Sequence, residues 1–375
     1  MICDGKKKSS YQQMIRIERR DVKKQGNYMN GNIKSEKIMR NNAFDILRYF
    51  AAFSVMLLHY TYYAITMSEQ EIGFLRVIRR IAEFFPGVVI LFSLSGFLIS
   101  ASFERCKTKK EFIKKRVFRL YPELWLCTLV NIIVVIFLAK ERLDKTFVMW
   151  VITQIFGIAN TPSCLKSFAS GSVNGALWTI FTEMQLYVVL GITYKWMKRL
   201  KQRGWCFLLL IGAGINLICN YLSQNIGGAA AKMIERLFLP YAIWFLIGVF
   251  CYQKRERILP ILKKYVWGIL LLFILNQKLA LCSYGYYEDI VTGITLSFAT
   301  IGLAYTLPAI RIKRDISYGI FLYHWILINI MIYLDAFNRM PWYVCAVLFI
   351  SITLLISFLS KEYINRIMAK CSKGK

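Results

Sequence analysis

Charged residues and histidines are scarce in this chain. Of its 375 residues, 19% are charged and two are histidines, whereas about a quarter of the residues in an ordinary soluble domain are charged. The mean hydropathy is +0.45, and no part of the sequence has the character of a separate soluble catalytic domain. This composition argues against a water-soluble enzyme and predicts an integral membrane protein.

Paired metal-ligand spacings are also missing. The chain has ten cysteines, and none of them form a C-x-x-C pair, which is the usual spacing of zinc and thiol-redox sites. We therefore expect no metal cofactor, and we expect the cysteines to fill space in the apolar interior. A disulfide between Cys164 and Cys282, both near the predicted outer face, stays open as an alternative.

What the chain does have is positive charge and long apolar runs. The net charge is +28, but the basic residues form short blocks between apolar runs rather than one patch, so we predict no nucleic-acid partner. About ten runs are long enough to cross a bilayer as helices, which takes ~20 residues. The predicted spans are 43–65, 83–102, 119–139, 175–195, 205–222, 235–252, 265–282, 290–307, 316–335 and 342–360.

The basic blocks also predict an orientation. With both termini in the cytoplasm, the inner segments hold most of the 49 lysines and arginines, as the positive-inside rule requires. The predicted fold class is therefore an all-α, polytopic bundle of about ten transmembrane helices. The stretch 146–158 is too short to cross comfortably and predicts an interfacial or re-entrant helix. Span 265–282 is the least regular, because it contains Asn276, Gln277 and Lys278.

Three segments follow from this pattern. Residues 1–42 are polar and basic and predict a disordered cytoplasmic tail, without the apolar core of a signal peptide. Residues 43–360 form one membrane domain, and residues 361–375 form a second short, basic cytoplasmic tail. Translation could start at Met1 or at Met39.

Ionisable side chains inside predicted spans are costly, so each is a candidate functional residue. They are Arg48, His59, Arg119, Glu183 and His324. Structural alternatives stay open for several of them. Arg119 could extend to the interface, Glu183 could form a structural ion pair, and His324 could be a hydrogen-bonded packing residue.

Helical spacing relates these candidates to one another. Arg48 and His59 are eleven residues apart, which places them on one helix face and roughly 16 Å apart along the axis. Asp45 lies one turn before Arg48 and can pair with it. Counting residues from the outer end of each predicted span places His59 and Glu183 at similar depths in the membrane, so the two side chains could be in contact. His324 lies nearer mid-depth and is the poorer match for His59.

The layout predicts two chemical roles. Arginines at the cytoplasmic end suit phosphate groups, which a guanidinium binds through two hydrogen bonds. Arg116 is an i,i+3 neighbour of Arg119 there, although a simple membrane anchor also fits Arg116. A histidine farther out, beside a carboxylate, suits a general base for a hydroxyl. Acyl-coenzyme A has charged phosphates and a long arm that would link the two levels.

Five segments together resemble the acyltransferase 3 family of membrane acyltransferases. The first is the opening helix, with Arg48, ten residues, then His59. The ninth span has Phe321 where the family commonly has Tyr. The resemblance extends over about 43–360, and the segments that carry it are AFDILRYFAAFSVMLLHY (43–60), GVVILFSLSGFLIS (87–100), KKRVFRLYPELW (114–125), NGALWTIFTEMQLYVVL (174–190) and ISYGIFLYHW (316–325).

This resemblance implies acyl transfer from cytoplasmic acyl-coenzyme A to a hydroxyl of a glycan or glycolipid, often at the outer face. It implies that His59 is catalytic and that Arg48, Arg116 and Arg119 handle the coenzyme A end. It also implies a bacterial plasma membrane. The candidates for substrate contact are Trp178, Tyr187 and His324.

The predicted function is therefore O-acylation of a cell-surface saccharide, with acetyl-coenzyme A as the first choice of donor. Glu183 would assist His59, and an acyl-His59 intermediate stays open. The predicted partners are the donor, the saccharide or glycolipid acceptor and the lipid bilayer, and a homo-oligomer is compatible. Two rival functions remain: a glycan or lipid transporter that uses the intramembrane charges, and a non-catalytic scaffold.

Overall fold

The apolar runs fold into helices wherever the sequence predicts a span. The computed structural model describes residues 42–68, 73–139, 143–310 and 312–373, and the fold is all-α. The helices in chain order are α1 (Phe44–Met67), α2 (Gly73–Phe84), α3 (Gly87–Glu104), α4 (Lys109–Leu138), α5 (Lys145–Ile155), α6 (Leu177–Arg199), α7 (Gln202–Ile226), α8 (Gly228–Arg236), α9 (Ala242–Gln253), α10 (Arg255–Leu279), α11 (Ile290–Thr306), α12 (Ser317–Tyr333), α13 (Ala336–Arg339) and α14 (Trp342–Lys373).

The number of membrane-crossing helices is lower by length and apolarity than the sequence predicts. Among the described residues, six helical segments are long and apolar enough to span, and a pair bent by 47°, Ala230–Arg236 and Leu239–Gln253, would make seven. Helices α11 and α12 are apolar but have 17 residues each. The all-α membrane fold is confirmed, whereas the count of about ten stays a prediction. The helices outside the count include α6 and α12, which carry Glu183 and His324.

Helix α3 lies at the centre of the bundle because glycines let α9 approach it closely. A side chain at Gly96 would collide with the carbonyl of Phe245, and one at Gly248 would collide with the carbonyl of Ser93. Small residues at such crossings allow backbones to meet inside a membrane protein. This contact fixes α3, so Ser95 of α3 reaches the interior.

A loop before α6 is fastened to α12. The Asn329 amide donates hydrogen bonds to the carbonyls of Ser172 (2.9 Å) and Val173 (3.0 Å). The Asn174 amide donates to the carbonyl of Leu322 at 3.0 Å. Buried polar groups need such partners, and here they set the start of α6 beside α12.

Two amphipathic helices, α2 and α8, were not predicted, because the prediction was based on long apolar runs. In α2, Leu75 and Ala82 are buried whereas Phe74 and Ile81, on the adjoining part of the same apolar face, are exposed. The bundle therefore covers only part of that face. Helix α5 confirms that 146–158 contains a helix, and its interfacial position stays a prediction.

The remaining predictions concern the two termini and one pair of cysteines. Residues 1–41 lie outside the described residues, so the predicted tail is not tested there. The last helix continues to Lys373 and takes in most of the predicted second tail. Cys164 and Cys282 are both free thiols, so the alternative of a disulfide between them is wrong.

Candidate active site

The two histidines of the chain meet across the α1–α12 contact. His59 Nδ1 lies 2.9 Å from His324 Nε2, and the imidazoles are nearly parallel, with centroids 5.1 Å apart. The prediction that His324 is the poorer partner for His59 is wrong. It assumed that both helices start at the same membrane level, whereas this contact requires α12 to be offset along its axis relative to α1, since His324 is 7 residues from the start of its helix and His59 is 15 from the start of its own.

The hydrogen bonds of this pair define its tautomers. His324 Nδ1 lies 3.1 Å from the carbonyl of Ile320, and a carbonyl can only accept, so this nitrogen carries the proton. His324 is 0% exposed, and burial favours the neutral imidazole. Its Nε2 therefore accepts from His59 Nδ1–H. This leaves His59 Nε2 with a lone pair, which is the form that a general base requires.

His59 lines a cavity of about 310 Å³, named here the His59 cavity. Aromatic and acidic side chains surround it, a pattern typical of sites that orient a small polar ligand. Helix α2 contributes Glu83, the start of α6 contributes Trp178, and the loop before α11 contributes two further residues. The lining residues are Ser54, Val55, Leu58, His59, Ala82, Glu83, Pro86, Gly87, Val88, Ala176, Trp178, Thr179, Tyr287, Glu288 and Phe321.

A second cavity, of about 130 Å³, lies toward the Arg48 end of α1 and is named the Arg119 cavity. Three cations line it: Arg48, Arg119 and Lys361. Arg48 is paired with Asp45 and, at 2.5 Å, with Asp315, which confirms the predicted Arg48–Asp45 contact. Arg119 and Lys361 form no ion pair among the described residues, so they are the cations available to an anionic ligand.

Asp315 keeps its negative charge beside Arg48. Burial alone would raise the pKa of Asp315, but the Arg48 guanidinium and hydrogen bonds from Ser317 hold it below its usual value. Two acidic side chains, Asp45 and Asp315, therefore bind the guanidinium of Arg48. Arg48 is thus held by acidic side chains at the cavity wall, whereas Arg119 and Lys361 have no ion-pair partner in the described part of the chain. A donor-binding role for Arg48 stays a prediction.

Glu183 belongs to the Arg119 cavity rather than to His59. Ser95 Oγ donates to Glu183 Oε1 at 2.5 Å, and the Tyr187 hydroxyl donates to the same oxygen. Ser95 and Tyr187 also lie within hydrogen-bond distance of each other, at 3.2 Å. The predicted direct pair between Glu183 and His59 is wrong, because the carboxylate is held on α3 and α6. A catalytic role for Glu183 stays a prediction.

Arg116 is separate from both cavities. Its side chain is 9% exposed, donates to Ser102 Oγ at 3.0 Å, and lies over the Phe112 ring. These contacts join α3 to α4 and favour the anchoring alternative over direct contact with a donor. Its donor-binding role is untested.

The two cavities share part of their lining. Val88, Thr179 and Phe321 face both of them. Together, the cavities extend from the cations near one end of α1 to the imidazole of His59 near the other. A ligand with an anionic head and a narrow arm could therefore reach both regions, provided that these three side chains let the arm pass.

Several site residues were missed from the sequence. Lys361 was assigned to a tail, and Asp315 to a loop, although Asp315 lies two residues before the start of α12 at Ser317. Tyr287 and Glu288 lie in a loop, where no intramembrane charge marked them. A search for ionisable residues just beyond the predicted spans would have found Asp315 and Lys361, but nothing in the local sequence sets the loop residues apart.

These features define a polytopic membrane protein with an internal site that has cations at one end and His59 at the other. The chain belongs to the acyltransferase 3 family, whose acyltransferase domain matches residues 41–360, and it is a membrane acyltransferase. It is 26% identical over 318 residues to nodulation protein 10 of Rhizobium leguminosarum bv. viciae, covering 78% of this chain and 84% of that protein. It is 25% identical over 298 residues to an O-acetyl transferase of Shigella phage Sf6, covering 76% and 84%. No solved structure matches the chain significantly.

Proposed function

We propose that this acyltransferase moves an acyl group, in the first instance acetyl, from acyl-coenzyme A to a hydroxyl of a cell-surface saccharide or glycolipid, with His59 as general base. The observation that supports this most directly is the pairing of His59 with His324. It engages Nδ1 and leaves Nε2 as the free nitrogen of a residue that lines a cavity. The similarity to an O-acetyl transferase of a phage supports the same reaction.

The donor would enter at the Arg119 cavity. Arg119 and Lys361 would bind the phosphates, since both are unpaired among the described residues and both line that cavity. Arg48, bound to Asp45 and Asp315, would hold the entrance in shape. The pantetheine arm would pass Val88, Thr179 and Phe321 and present the thioester to His59.

The chemical step is attack of the acceptor hydroxyl on the thioester, assisted by His59. His59 Nε2 takes the proton of the acceptor hydroxyl while the hydroxyl oxygen attacks the thioester carbonyl. A C–O bond forms, the C–S bond breaks, and the coenzyme A sulfur leaves and takes up the proton from His59. His324 would keep His59 in the required tautomer throughout. A route through acyl-His59 would use the same nitrogen as nucleophile and remains an alternative.

The orientation follows from the positive-inside rule. The Arg119 cavity would open to the cytoplasm, where acyl-coenzyme A is made, and both termini would lie there. The His59 cavity would lie toward the outer leaflet of a bacterial plasma membrane, where a saccharide acceptor is found.

The test uses the full chain in lipid nanodiscs with acetyl-coenzyme A. The acceptors are polysaccharide and glycolipid extracts from cells that lack the gene, and the readouts are coenzyme A release and acetyl transfer. We expect His59→Gln to lower the rate by about 10²–10⁴-fold, the usual contribution of a general base. The control is Tyr62→Phe, a conservative change at an exposed position one turn along α1.

Near wild-type transfer by His59→Gln would refute the base assignment. Movement of a glycolipid across the bilayer without coenzyme A release would favour the transporter, and full activity in His59→Ala cells would favour the scaffold.

A further inference from the structure

The loop between α10 and α11 forms one wall of the His59 cavity. Tyr287 and Glu288 of this loop line the cavity opposite helices α1 and α6. Neither residue belongs to a segment that carries the family resemblance, and the proposed reaction step uses neither. Their position beside the base calls for a role, and three independent features point to the same one.

The first feature is the backbone of Tyr287. Its φ is +69°, a left-handed conformation that is unfavourable for a bulky residue. The ring gains little burial in return, because Tyr287 remains 44% exposed. Such conformations persist where the surrounding structure imposes them, and they concentrate at ligand sites. Here the conformation presents an aromatic ring to the cavity.

The surrounding structure that imposes it is a set of buried amides. Asn216 accepts from the Tyr286 N–H at 3.0 Å and donates to the carbonyl of Pro240 at 2.7 Å. Asn276 donates to Asp289 at 2.9 Å. Asn216 and Asn276 are 0% and 3% exposed. The loop is therefore fixed on both sides of Tyr287 and Glu288 before any ligand arrives, which lowers the cost of binding.

The second feature is the aromatic group that Tyr287 joins. Its ring centroid lies 5.7 Å from that of Trp178 and 6.0 Å from that of Trp244. Trp178 also lines the cavity. Adjacent aromatic rings supply a rigid apolar surface with polar edges. The C–H faces of a sugar ring fit against such a surface.

The third feature is the charge of the lining. Glu288 and Glu83 are acidic, and none of the described residues that line the cavity is Lys or Arg. Glu83 is paired with Arg79 at 2.7 Å. Glu288 Oε1 receives a long hydrogen bond, 3.4 Å, from Gln277 Nε2, and the carboxylate also interacts with the backbone N–H of Asp289. Its two oxygens have further lone pairs that can accept hydrogen bonds from a ligand. A carboxylate accepts strongly from hydroxyls and repels an anionic ligand.

We infer that Tyr287, Glu288 and Trp178 form the acceptor subsite, and that it takes an uncharged sugar ring rather than an acidic one. The ring stacks against Tyr287 and Trp178, and its hydroxyls donate to Glu288, which orients a neighbouring hydroxyl toward His59 Nε2. The inference rests on the proposed acyl transfer. The two substrates would meet different charges: the anionic donor would meet Arg119 and Lys361 in one cavity, and the neutral acceptor would meet carboxylates in the other.

The test compares a panel of methyl glycosides of neutral hexoses with the matching methyl uronides. The full chain in nanodiscs receives saturating acetyl-coenzyme A, and coenzyme A release gives kcat and the KM of each acceptor. We expect the wild type to prefer a neutral glycoside over its uronide by about tenfold or more in kcat/KM, as a close like-charge contact implies. Glu288→Gln should shrink this preference.

The variants then separate binding from chemistry. We expect Tyr287→Leu and Glu288→Gln each to raise the acceptor KM by about tenfold, the effect of one aromatic stack or one charged hydrogen bond. The KM of the donor should not change. Tyr287→Phe should retain most of the affinity. Tyr284→Ala, in the same loop but 73% exposed and outside the lining, is the matched control.

Three results would overturn the subsite: uronides used as well as neutral glycosides, unchanged acceptor KM in both variants, or transfer to native extract but to no neutral glycoside. Each leaves the proposed function intact. Absence of His59-dependent coenzyme A release with every acceptor, native extract included, would instead refute the proposed function.

Discussion

The imidazoles of His59 and His324 are joined by one hydrogen bond, and a second bond ties His324 to the backbone of its own helix. In this chain of two bonds a carbonyl, rather than a carboxylate, fixes the tautomer of His59. The arrangement orients the base without placing a second charge beside it. It suits a site inside a membrane, where a buried charge is costly.

The first prediction concerns His324 as the residue that positions His59. His324→Leu removes the acceptor for His59 Nδ1–H, so the base loses its fixed tautomer and orientation. We expect kcat to fall by about 10–100-fold, a part of the usual contribution of a general base. The KM of acetyl-coenzyme A should not change.

The conservative variant distinguishes positioning from packing. The His324→Gln side chain can still accept from His59, so it should recover much of the lost kcat, and the pH–rate profile should stay close to that of the wild type. If His324→Leu and His324→Gln reduce kcat equally and leave the pH profile unchanged, His324 serves only to pack α12 against α1.

The second prediction concerns the cations of the Arg119 cavity. Arg119→Lys keeps the charge but loses the planar pair of donors. We therefore expect the KM of acetyl-coenzyme A to rise by about tenfold, because a hydrogen bond between charged groups contributes about 1.5–3 kcal/mol. Lys361→Gln should raise the same KM, and neither variant should change the KM of the acceptor.

Arg116→Lys is the matched control for this series. Arg116 is buried against Ser102 outside both cavities, so its replacement should lower thermal stability rather than donor affinity. A donor KM that responds to Arg116→Lys but not to Arg119→Lys would move the phosphate site to Arg116.

The sequence predicted the helical membrane fold and most of the intramembrane candidates, because charge inside an apolar run is a local signal. It put Arg48 and His59 on one helix, α1, as the structure has them. The sequence did not predict contacts that depend on how one helix is shifted against another. The His59–His324 pair depends on the offset of α12 relative to α1, and the position of Tyr287 depends on amides in α7 and α10. No local pattern contains that information.

The third prediction is a pH dependence of acceptor binding. Burial, together with the neighbouring charge of Asp289, raises the pKa of Glu288 to about 7. Sugar hydroxyls bind the ionised carboxylate better, so acceptor affinity should increase as the pH rises through 7. The folded protein also resists ionisation of Glu288, so this residue lowers stability as the pH rises from about 4.5 to about 7.

The measurement is the acceptor KM between about pH 6 and pH 8. In Glu288→Gln the dependence should flatten. The other groups that face Glu288 are Asp289 and Gln277 beside it, and Glu83 and His59 across the cavity. They are present in both proteins, so their effects cancel in the comparison. An identical pH dependence in the variant would assign it to one of those groups.

The last prediction separates the strain at Tyr287 from its role in recognition. Tyr287→Ala and Tyr287→Gly both remove the ring and should weaken acceptor binding to the same extent. They differ in the backbone, because glycine adopts a φ of +69° without the steric cost that alanine bears. We therefore expect the glycine variant to be more stable to unfolding than the alanine variant by about 1 kcal/mol. The measurement is thermal unfolding in nanodiscs alongside the acceptor KM.

The same exchange of alanine and glycine at Tyr284, whose φ is not in the left-handed region, should instead favour alanine. Equal stabilities at position 287 would mean that the loop relaxes once the ring is gone, and that the ring itself, rather than the amides of Asn216 and Asn276, holds the conformation.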